Sequence, residues 1–577
     1  MNVRDIQFEA AGGKNVLTWG QRSIATILAE MGEDSHFFNF GGMVDVPAGR
    51  STQAVVDAVR ELVQRHAGLR TLFPDKLTQL VAEQGTIRLT THDVAPADAA
   101  DTAADLVQQL GGTAFRHDED WPVRLALVQA GGVPQKLVIV LSHLVADGQS
   151  CRIVLDELRQ LLAGVPLAPD DTTWSPLEVA VHEQSAAGQA EGEASVRHWC
   201  AEAREVPRTN FDFPKHDPDP IRFLGLRMSS TAVAVAATQI AREWRCSTSA
   251  VILAAISAVL SRYTGHRRIA LQLLANNRWR PEVARTVMTV NNGGMFSVEV
   301  DGDASFGELA NLTWRRALRG YQSARYDPQV LEKAIWEVDL ERGLHLYRNV
   351  AFNDTRVADG WTDLPELPQT EGAWSDLRAS TTVDIFGQWE SLLGRVCFSL
   401  HGLTSQAVLD VEIDTSFIPA ATGRQLLVGI EALLVRAAQR SVLMHELGDV
   451  TGVEPVARDA GWRWLARAAG FVAVAQVGPI VAAATGAAAC GVFVEPDDAG
   501  ERLVAYLGPV DAGVPENLHE EVCSRVKGVF GYGAIAPHHY VFCAAAPPDG
   551  DQAGWRSQPV LFTSDGTVTG PRAGTDS

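Results

Sequence analysis

The sequence predicts a mixed α/β (α+β) protein, on three observations. The apolar run "QKLVIVLS" is followed directly by "GQSCRIVLDELRQLL", in which apolar residues recur at helical spacing. Two further stretches show the apolar period of helices and have Ser or Thr at their start, "STQAVVDAVRELVQRHAGLRTLF" and "STSAVILAAISAVLSRYTG". Hydrophobic residues make up 46% of the chain and charged residues 21%, as in globular proteins.

The order of the remaining elements predicts several domains. A chain of 577 residues is too long for one hydrophobic core. After the Pro- and Asp-rich loop "GVPLAPDDTTWSP" come the predicted strands "RIALQLLAN", "RNVAFND", "ASTTVDIFGQW", "RVCFSLHG" and "LDVEIDTSF", then the amphipathic helix "RQLLVGIEALLVRAAQR". We expect domain boundaries that give residues 1–170, 171–447 and a smaller α+β domain over 448–577.

Charge and cysteine usage narrow the class of protein. The formal net charge of −21 argues against a nucleic-acid partner, because phosphates would be repelled. The seven cysteines form no CxxC pair and are typical of reduced, buried thiols. The N-terminal residues lack the basic-then-apolar pattern of a signal peptide. We therefore expect a cytoplasmic protein, and a monomer.

One stretch is long enough to be tested as a membrane span. Between Arg467 and Glu495 there are 27 uncharged residues. They are mostly Ala, Val and Gly, with a Gly-Pro pair at 478–479. This composition favours buried strands separated by turns, and we expect no membrane span.

The connection between the first-mentioned strand and helix carries candidate catalytic residues. His143 ends the strand, and its imidazole can take a proton from an incoming amine or hydroxyl near neutral pH. Asp147 can fix that ring or hold the loop, while Gly148 permits a positive φ or close approach of backbone N–H groups to a ligand. Taken alone, the HxxxD spacing is equally compatible with a buried structural histidine.

Five stretches occur in order over about residues 1–445. They are "LTWGQRSI", "RHAGLRTLF", "SHLVADG" (142–148), "NNRWRPEV" with "TVNNGGMF", and "VDIFGQWESLLGRVCFSLHG" with "VEIDTSFIP". Together they resemble the condensation domains of nonribosomal peptide synthetases, whose core HHxxxDG motif "SHLVADG" matches at all but its first position. The resemblance implies two chloramphenicol-acetyltransferase-like lobes in a V arrangement, with a substrate tunnel at their junction.

The resemblance also implies roles for individual residues. His143 would orient the acceptor nucleophile and accept its proton, and the Gly148 N–H would lie near the developing oxyanion. Asp147 would hold the loop through an ion pair with Arg278. Ser142 replaces the first histidine of the motif, as a supporting residue whose hydroxyl can still form a local hydrogen bond.

Two further segments depart from familiar patterns. Asn291 and Asn292 precede a Gly pair where the family has Asn then Thr, so either can be the equivalent of the family's asparagine in the tunnel. "DIFGQW" faintly resembles the DFGWG motif of plant acyl-CoA transferases. We treat Asp384 and Trp389 as structural, and keep Trp389 among the candidate tunnel residues.

The last 130 residues contain "GVEPVARDAG", "ERLVAYLGP", "APHHYVF" and "SDGTVTG", in an order that resembles the small C-terminal subdomain of adenylation enzymes. That family ends in an Asn-Gly-Lys segment, and Thr567 stands where its lysine would be, so we expect no acid activation here. The neighbouring His538 and His539 lack the ligand pattern of a metal site, and we expect no metal.

The predicted function is that of a free-standing condensation enzyme of natural-product biosynthesis. It would join an acyl or aminoacyl thioester, held on the phosphopantetheine arm of a separate carrier protein, to a free or carrier-bound amine or alcohol. An amide would form, or less often an ester, without any bound metal, nucleotide or other cofactor. Two alternatives stay open: a non-catalytic domain that recruits carrier proteins or enzymes, and an acyltransferase that uses acyl-CoA.

Overall fold

The computed structural model describes residues 2–356, 367–391, 394–497, 500–510, 517–528 and 533–566. They form two compact units. Unit 1 comprises Met1–Ser195, Ala275–Asn292 and Ala324–Pro328, and unit 2 comprises Val196–Leu274, Gly293–Ser323 and Gln329–Ser577. The three-domain division expected from the sequence stays a prediction.

Strands and helices alternate along much of the chain. The strands are β1 Asn2–Glu9, β2 Gly13–Val16, β3 Phe40–Asp45, β4 Thr71–Leu72, β5 Thr78–Val81, β6 Gln84–Asp93, β7 Val123–Ala130, β8 Val133–Leu141, β9 Phe223–Ser230, β10 Arg268–Ala275, β11 Asn292–Glu299, β12 Val350–Asp354, β13 Thr382–Trp389, β14 Val396–Leu403, β15 Ala407–Asp414, β16 Trp462–Leu465, β17 Gly470–Ala473, β18 Cys490–Asp497, β19 Gly500–Leu507, β20 His539–Cys543 and β21 Val560–Asp565. The helices are α1 Trp19–Met31, α2 Thr52–Arg65, α3 Ala99–Gly111, α4 Gly148–Ala163, α5 Pro176–Gln184, α6 Ala186–Glu205, α7 Thr231–Trp244, α8 Thr248–Thr264, α9 Pro281–Ala284, α10 Phe306–Gln322, α11 Pro328–Arg342, α12 Glu371–Ala379, α13 Ala420–Gln439, α14 Leu447–Thr451, α15 Val474–Thr485, α16 Leu518–Gly528 and α17 Gln552–Arg556. The α/β class expected from the sequence is confirmed.

Unit 1 is built on a five-stranded sheet in the order β1-β6-β7-β8-β3. Successive side chains of a strand point to opposite faces. On β8, Leu137, Ile139 and Leu141 pack with α2 and α4, whereas Val138 packs with α3 on the other face. Because helices pack on both faces of the sheet, the end of β8 is fixed, and so is the connection that begins at Ser142.

Unit 2 contains a seven-stranded sheet in the order β11-β10-β12-β14-β15-β9-β13. Its largest core joins that sheet to helices α7, α8, α10 and α13. Helix α8 is apolar on nearly all sides and is capped by the Ser247 side chain, which accepts the Ala250 N–H. Gly265 ends it in the left-handed conformation, with φ 76°, where a glycine is favoured.

A smaller four-stranded sheet, β18-β19-β20-β21, also belongs to unit 2. It packs with α15 and α16 around a core of its own. The sequence predicted buried strands and turns between Arg467 and Glu495. Strand β17 and the first part of β18 lie there, but the prediction was wrong for Val474–Thr485, which form α15 with Pro479 inside it. A uniformly apolar stretch has no period to separate strand from helix, and its alanines favour the helix.

A buried charge cluster in unit 2 connects the segment that contains Arg458 and strand β17 to residues earlier in the chain. Asp212 Oδ1 lies 2.8 Å from His266 Nε2 and 2.9 Å from an Arg458 guanidinium nitrogen, and its Oδ2 accepts the Phe471 N–H at 2.7 Å. Asp212 is fully buried, and its charged partners hold its pKa below the usual value despite burial. Residues after position 447 therefore complete the charge balance of residues before it.

Within the described residues, no single helix has the length and apolarity of a membrane span. Helices α7 and α8 have that length and apolarity only when taken together, and the chain bends by 107° at their junction. Both helices are part of the largest core of unit 2.

Candidate active site

The candidate site of unit 1 lies in the connection between β8 and α4. His143 follows the end of β8 and is only 7% exposed. Its ring lies against two aromatic side chains, Phe38 at 5.8 Å and Phe40 at 4.9 Å between ring centroids. Phe40 reaches it because β3 pairs with β8 and places Phe40 opposite Leu141.

The hydrogen bonds of His143 fix its tautomer. Its Nδ1 lies 2.8 Å from the Ala146 carbonyl oxygen. A carbonyl can only accept, so Nδ1 carries the proton and Nε2 keeps its lone pair. Burial lowers the pKa of His143 below its usual value, which keeps the ring neutral at neutral pH. The result is an imidazole with a basic nitrogen that has no hydrogen-bond partner in the described part of the chain.

A second loop holds the histidine from the other side. The Thr289 hydroxyl donates a hydrogen bond to the backbone carbonyl of His143. Gly20 packs against the same segment, because a Cβ there would lie 2.6 Å from the Thr289 carbonyl oxygen. The backbone at His143 is thus held by a hydrogen bond from Thr289, whose own segment packs against Gly20.

Asp147 and Arg278 form the ion pair that the sequence indicated. Arg278 Nη2 lies 2.8 Å and 2.9 Å from the two carboxylate oxygens of Asp147, and both side chains are about 5% exposed or less. Asp147 also caps α4 by accepting the Ser150 N–H. Arg278 Nη1 donates to the carbonyls of Val283 and Thr286. Asp147 therefore connects the start of α4 to the 278–288 segment rather than touching the His143 ring.

Ser142 has a histidine partner that the sequence did not reveal. His117 Nε2 lies 2.7 Å from Ser142 Oγ, which also accepts the Leu144 N–H at 3.2 Å. Burial lowers the pKa of His117 to about 4, so this ring is neutral at neutral pH. An imidazole thus stands beside the position where the motif would have its first histidine, but it comes from 25 residues earlier in the chain.

Gly148 is the first residue of α4 and does not use the positive φ that the sequence allowed. A Cβ placed there would meet no atom within 4 Å. The space in front of its Cα is open, so the surviving interpretation of Gly148 is close approach of a ligand to the helix N-terminus.

The candidate tunnel residues fall into both units. Val290 donates its N–H to Asp147 Oδ2 at 3.4 Å, which brings the following Asn291 and Asn292 close to the connection between β8 and α4. The amide oxygen of Asn291 is buried without a hydrogen-bond partner among the described residues. Asn292 Oδ1 accepts from Ser23 and Tyr326.

Trp389 and Asp384 lie in unit 2, on the edge strand β13, which pairs with β9. The Trp389 ring packs edge-on against Phe386 at 5.7 Å. Its assignment to a tunnel stays a prediction.

The two adjacent histidines of the C-terminal segment each have a partner. His538 Nδ1 accepts the Leu503 N–H at 2.9 Å, and burial lowers its pKa to about 4. His539 Nδ1 lies 2.8 Å from the Asp565 carboxylate. In the described part of the chain, no three metal-ligating side chains come together. Thr567, expected at the position of an adenylation-enzyme lysine, lies outside the described residues.

Comparison with known proteins defines the class to which this fold and site belong. The condensation domain family model matches residues 15–340, so the chain belongs to the condensation domain family. Its curated relatives include surfactin synthase subunit 1 of Bacillus subtilis, at 21% identity over 55% of this chain, and the isonitrile lipopeptide synthase of Mycobacterium tuberculosis, at 26% identity over 55%. The chain spans only 9% and 13% of those two proteins.

Solved structures agree on the fold. The condensation domain of the monacolin K polyketide synthase MokA is similar with a TM-score of 0.58 and 18% identity, over 75% of this chain and 98% of that one. The SgcC5 protein of Streptomyces globisporus gives a TM-score of 0.55 and 17% identity, over 74% and 99%. The X-domain from teicoplanin biosynthesis gives 0.55 and 16%, over 75% and 96%. The expected condensation-domain fold is confirmed.

Proposed function

We propose that this chain is a condensation enzyme that forms an amide, or less often an ester, from a carrier-bound acyl thioester. The observation that carries the proposal is the bond from His143 Nδ1 to the Ala146 carbonyl, which leaves Nε2 neutral and able to accept a proton. In the proposed function, Nε2 is the nitrogen that faces the substrate.

In the proposed step, an amine or hydroxyl of the acceptor attacks the carbonyl carbon of the thioester. Nε2 of His143 takes the proton of the attacking group, and the carbonyl oxygen gains negative charge. The N–H of Gly148, at the start of α4, stabilises that charge. The carbon–sulfur bond then breaks, and the thiol leaves with a proton returned from His143. The thioester supplies the activation, so no nucleotide or metal enters the step.

The partners follow from the family. The donor would arrive on the phosphopantetheine arm of an acyl or peptidyl carrier protein supplied in trans, in the cytoplasm, to a monomeric enzyme. The acceptor is a small molecule or a second carrier-bound group with a free amine or alcohol.

A second candidate function is recruitment of an enzyme without catalysis. Two observations favour it. First, Ser142 replaces the first histidine of the motif. Second, the fold resembles the X-domain in the solved complex of X-domain and OxyB from teicoplanin biosynthesis, with a TM-score of 0.54. The experiment below separates the two functions.

The test is carrier discharge, followed by intact-protein mass spectrometry. Carrier proteins loaded with different acyl groups are incubated with the full chain and a mixed set of amines and alcohols, and acyl-CoA is supplied as the donor in a parallel series. His143→Ala is compared with His216→Ala, which removes an exposed histidine. Acceptor-dependent discharge that is lost only in His143→Ala supports condensation.

If acyl-CoA is consumed but the loaded carriers are not discharged, the donor is acyl-CoA and not a carrier-bound thioester. Equal behaviour of wild type and His143→Ala, with carriers or an enzyme still bound, would overturn catalysis and leave recruitment.

A further inference from the structure

A recess in unit 1 lies beside the segment that carries Arg278. While Arg278 points to Asp147, its neighbours Asn277, Trp279 and Arg280 line this recess. The first residues of α1, one face of α5 and Glu191 of α6 contribute other parts of the wall, and the empty space is about 510 Å³, including the part open to solvent. A concave site with mixed aromatic and polar walls is typical of small-molecule binding.

The aromatic part of the wall consists of three indole rings, Trp19, Trp174 and Trp279. Trp279 is 54% exposed, although it is the largest type of side chain. The guanidinium carbons of Arg280 and Arg325 lie 4.3 Å and 4.8 Å from its ring centroid. The two cations cover part of the ring, and the exposed remainder can contact a flat aromatic ligand.

The charged part of the wall carries an excess of positive charge. Glu191 is the shared partner of Arg280, at 2.5 Å, and of Arg325, at 3.5 Å, so one carboxylate balances two cations. Glu183 also lines the recess, where it accepts the Trp19 N–H at 2.8 Å. Burial raises the pKa of Glu183 to about 8, which keeps it neutral at neutral pH. The remaining positive charge favours an anionic ligand.

Two polar atoms around the recess are buried without a hydrogen bond or an ion-pair contact in the described part of the chain. They are His182 Nε2 and Arg280 Nε. The His182 ring itself lies against Trp174, 5.1 Å between centroids. Leaving a buried polar group unpaired is unfavourable, so two such atoms around one recess indicate a missing partner.

We propose that this recess binds a small molecule that combines a flat aromatic ring with a carboxylate. The ring would stack on Trp279, the carboxylate would lie towards Arg280 and Arg325, and His182 Nε2 would form a hydrogen bond with a polar atom of the ligand. The proposal goes beyond the proposed condensation step and does not depend on His143.

The test is a calorimetric titration of the full chain with indole-3-acetate and benzoate as probes. Indole-3-ethanol and tryptamine replace the carboxylate of the first probe with a neutral and a cationic group. We expect indole-3-acetate to bind at least about tenfold more tightly than either, because charge-assisted hydrogen bonds to guanidinium are lost in both. Failure of both acids to bind up to their solubility limits, or equal binding of the three indole probes, would overturn the proposal.

Variants locate the bound probe. Arg280→Gln and Trp279→Ala should each weaken indole-3-acetate binding about tenfold or more, whereas Trp314→Ala, which removes an exposed indole of unit 2, should not. Arg325→Gln and His182→Phe serve the same purpose if either first variant unfolds, as judged by circular dichroism. Binding that survives in every folded variant of the recess would overturn the assignment.

Carrier discharge is measured on the same samples. If the wild type binds the probe but discharges no carrier, only the proposed function is contradicted. If it discharges carriers but does not bind the probe, only the recess proposal is contradicted.

Discussion

Arg278 Nη2 contacts both carboxylate oxygens of Asp147, at 2.8 Å and 2.9 Å, although the two residues are 131 positions apart. The pair is almost completely buried, and it joins the start of α4 to the segment that also holds Thr289 against His143. The two segments that hold His143 are therefore joined by an ion pair that does not touch its ring.

Removing one member of this pair should destabilise the protein strongly. Asp147→Ala leaves the Arg278 charge buried without its counter-charge, so we expect the free energy of unfolding to fall by about 3–5 kcal/mol. Urea denaturation checks this. Asp156→Ala breaks the exposed pair with Arg159 on the same helix and should cost less than about 1 kcal/mol. Similar losses in the two variants would contradict the structural role of the Asp147–Arg278 pair.

Ser142 and His117 should behave as a coupled pair. Ser142→Ala removes the acceptor of the Leu144 N–H and the partner of His117 Nε2, with an expected cost of about 1–3 kcal/mol. Combining it with His117→Phe gives a double-mutant cycle by chemical denaturation. We expect the two costs to be non-additive by about 0.5–1.5 kcal/mol, and simple additivity would rule out the hydrogen bond.

Stability should fall with acid partly through His117. Its folded pKa of about 4 lies below the unfolded value, so the stabilisation is complete above that unfolded value and is lost as the pH falls towards 4. Between neutrality and about pH 4.5 the expected loss from this group is roughly 2.5 kcal/mol. The measurement is urea unfolding of wild type and His117→Phe at both pH values. The variant should lose less stability on acidification, and equal losses would refute the assignment.

Gly148 should matter for activity and not for stability. An added Cβ meets nothing within 4 Å, so Gly148→Ala should change the free energy of unfolding by less than about 0.5–1 kcal/mol. If a substrate approaches the helix start there, carrier discharge should still drop. The matched control is Gly294→Ala, whose Cβ would lie only 1.9 Å from the Gly320 carbonyl oxygen and should destabilise unit 2. Unchanged discharge in Gly148→Ala would remove this residue from the site.

The sequence predicted those features whose evidence, such as an apolar period or a helix cap, lies within one short stretch of the chain. Helices α4 and α8 were predictable because their apolar period and their caps stand next to each other in the chain. Residues 474–485 were not, since a stretch that is apolar on all sides gives no period. His117, Phe38 and Phe40 reach the site through strand pairing and loop packing, and no local pattern marks them. The ion pair of Asp147 was predictable only through the resemblance to a family.

The recess shows the same limit. Its wall combines residues 174–191 with 277–292 and 324–325, which meet only after folding. In the sequence, Trp279 stands between Arg278 and Arg280, and this pattern alone indicates no binding site. Only the folded structure shows that Arg280 and Arg325 lie beside its ring.

The buried cluster around Asp212 has a consequence for the order of events during synthesis. A ribosome delivers the N-terminal parts of a chain first, and domains generally fold as they emerge. The strands and helices that surround Asp212 and His266 are complete by residue 439, but the Arg458 guanidinium and the Phe471 N–H that balance the carboxylate come later. Until those residues have left the exit tunnel, nascent unit 2 has to hold this buried carboxylate with His266 and Arg208 as its only charged partners, or wait half-folded.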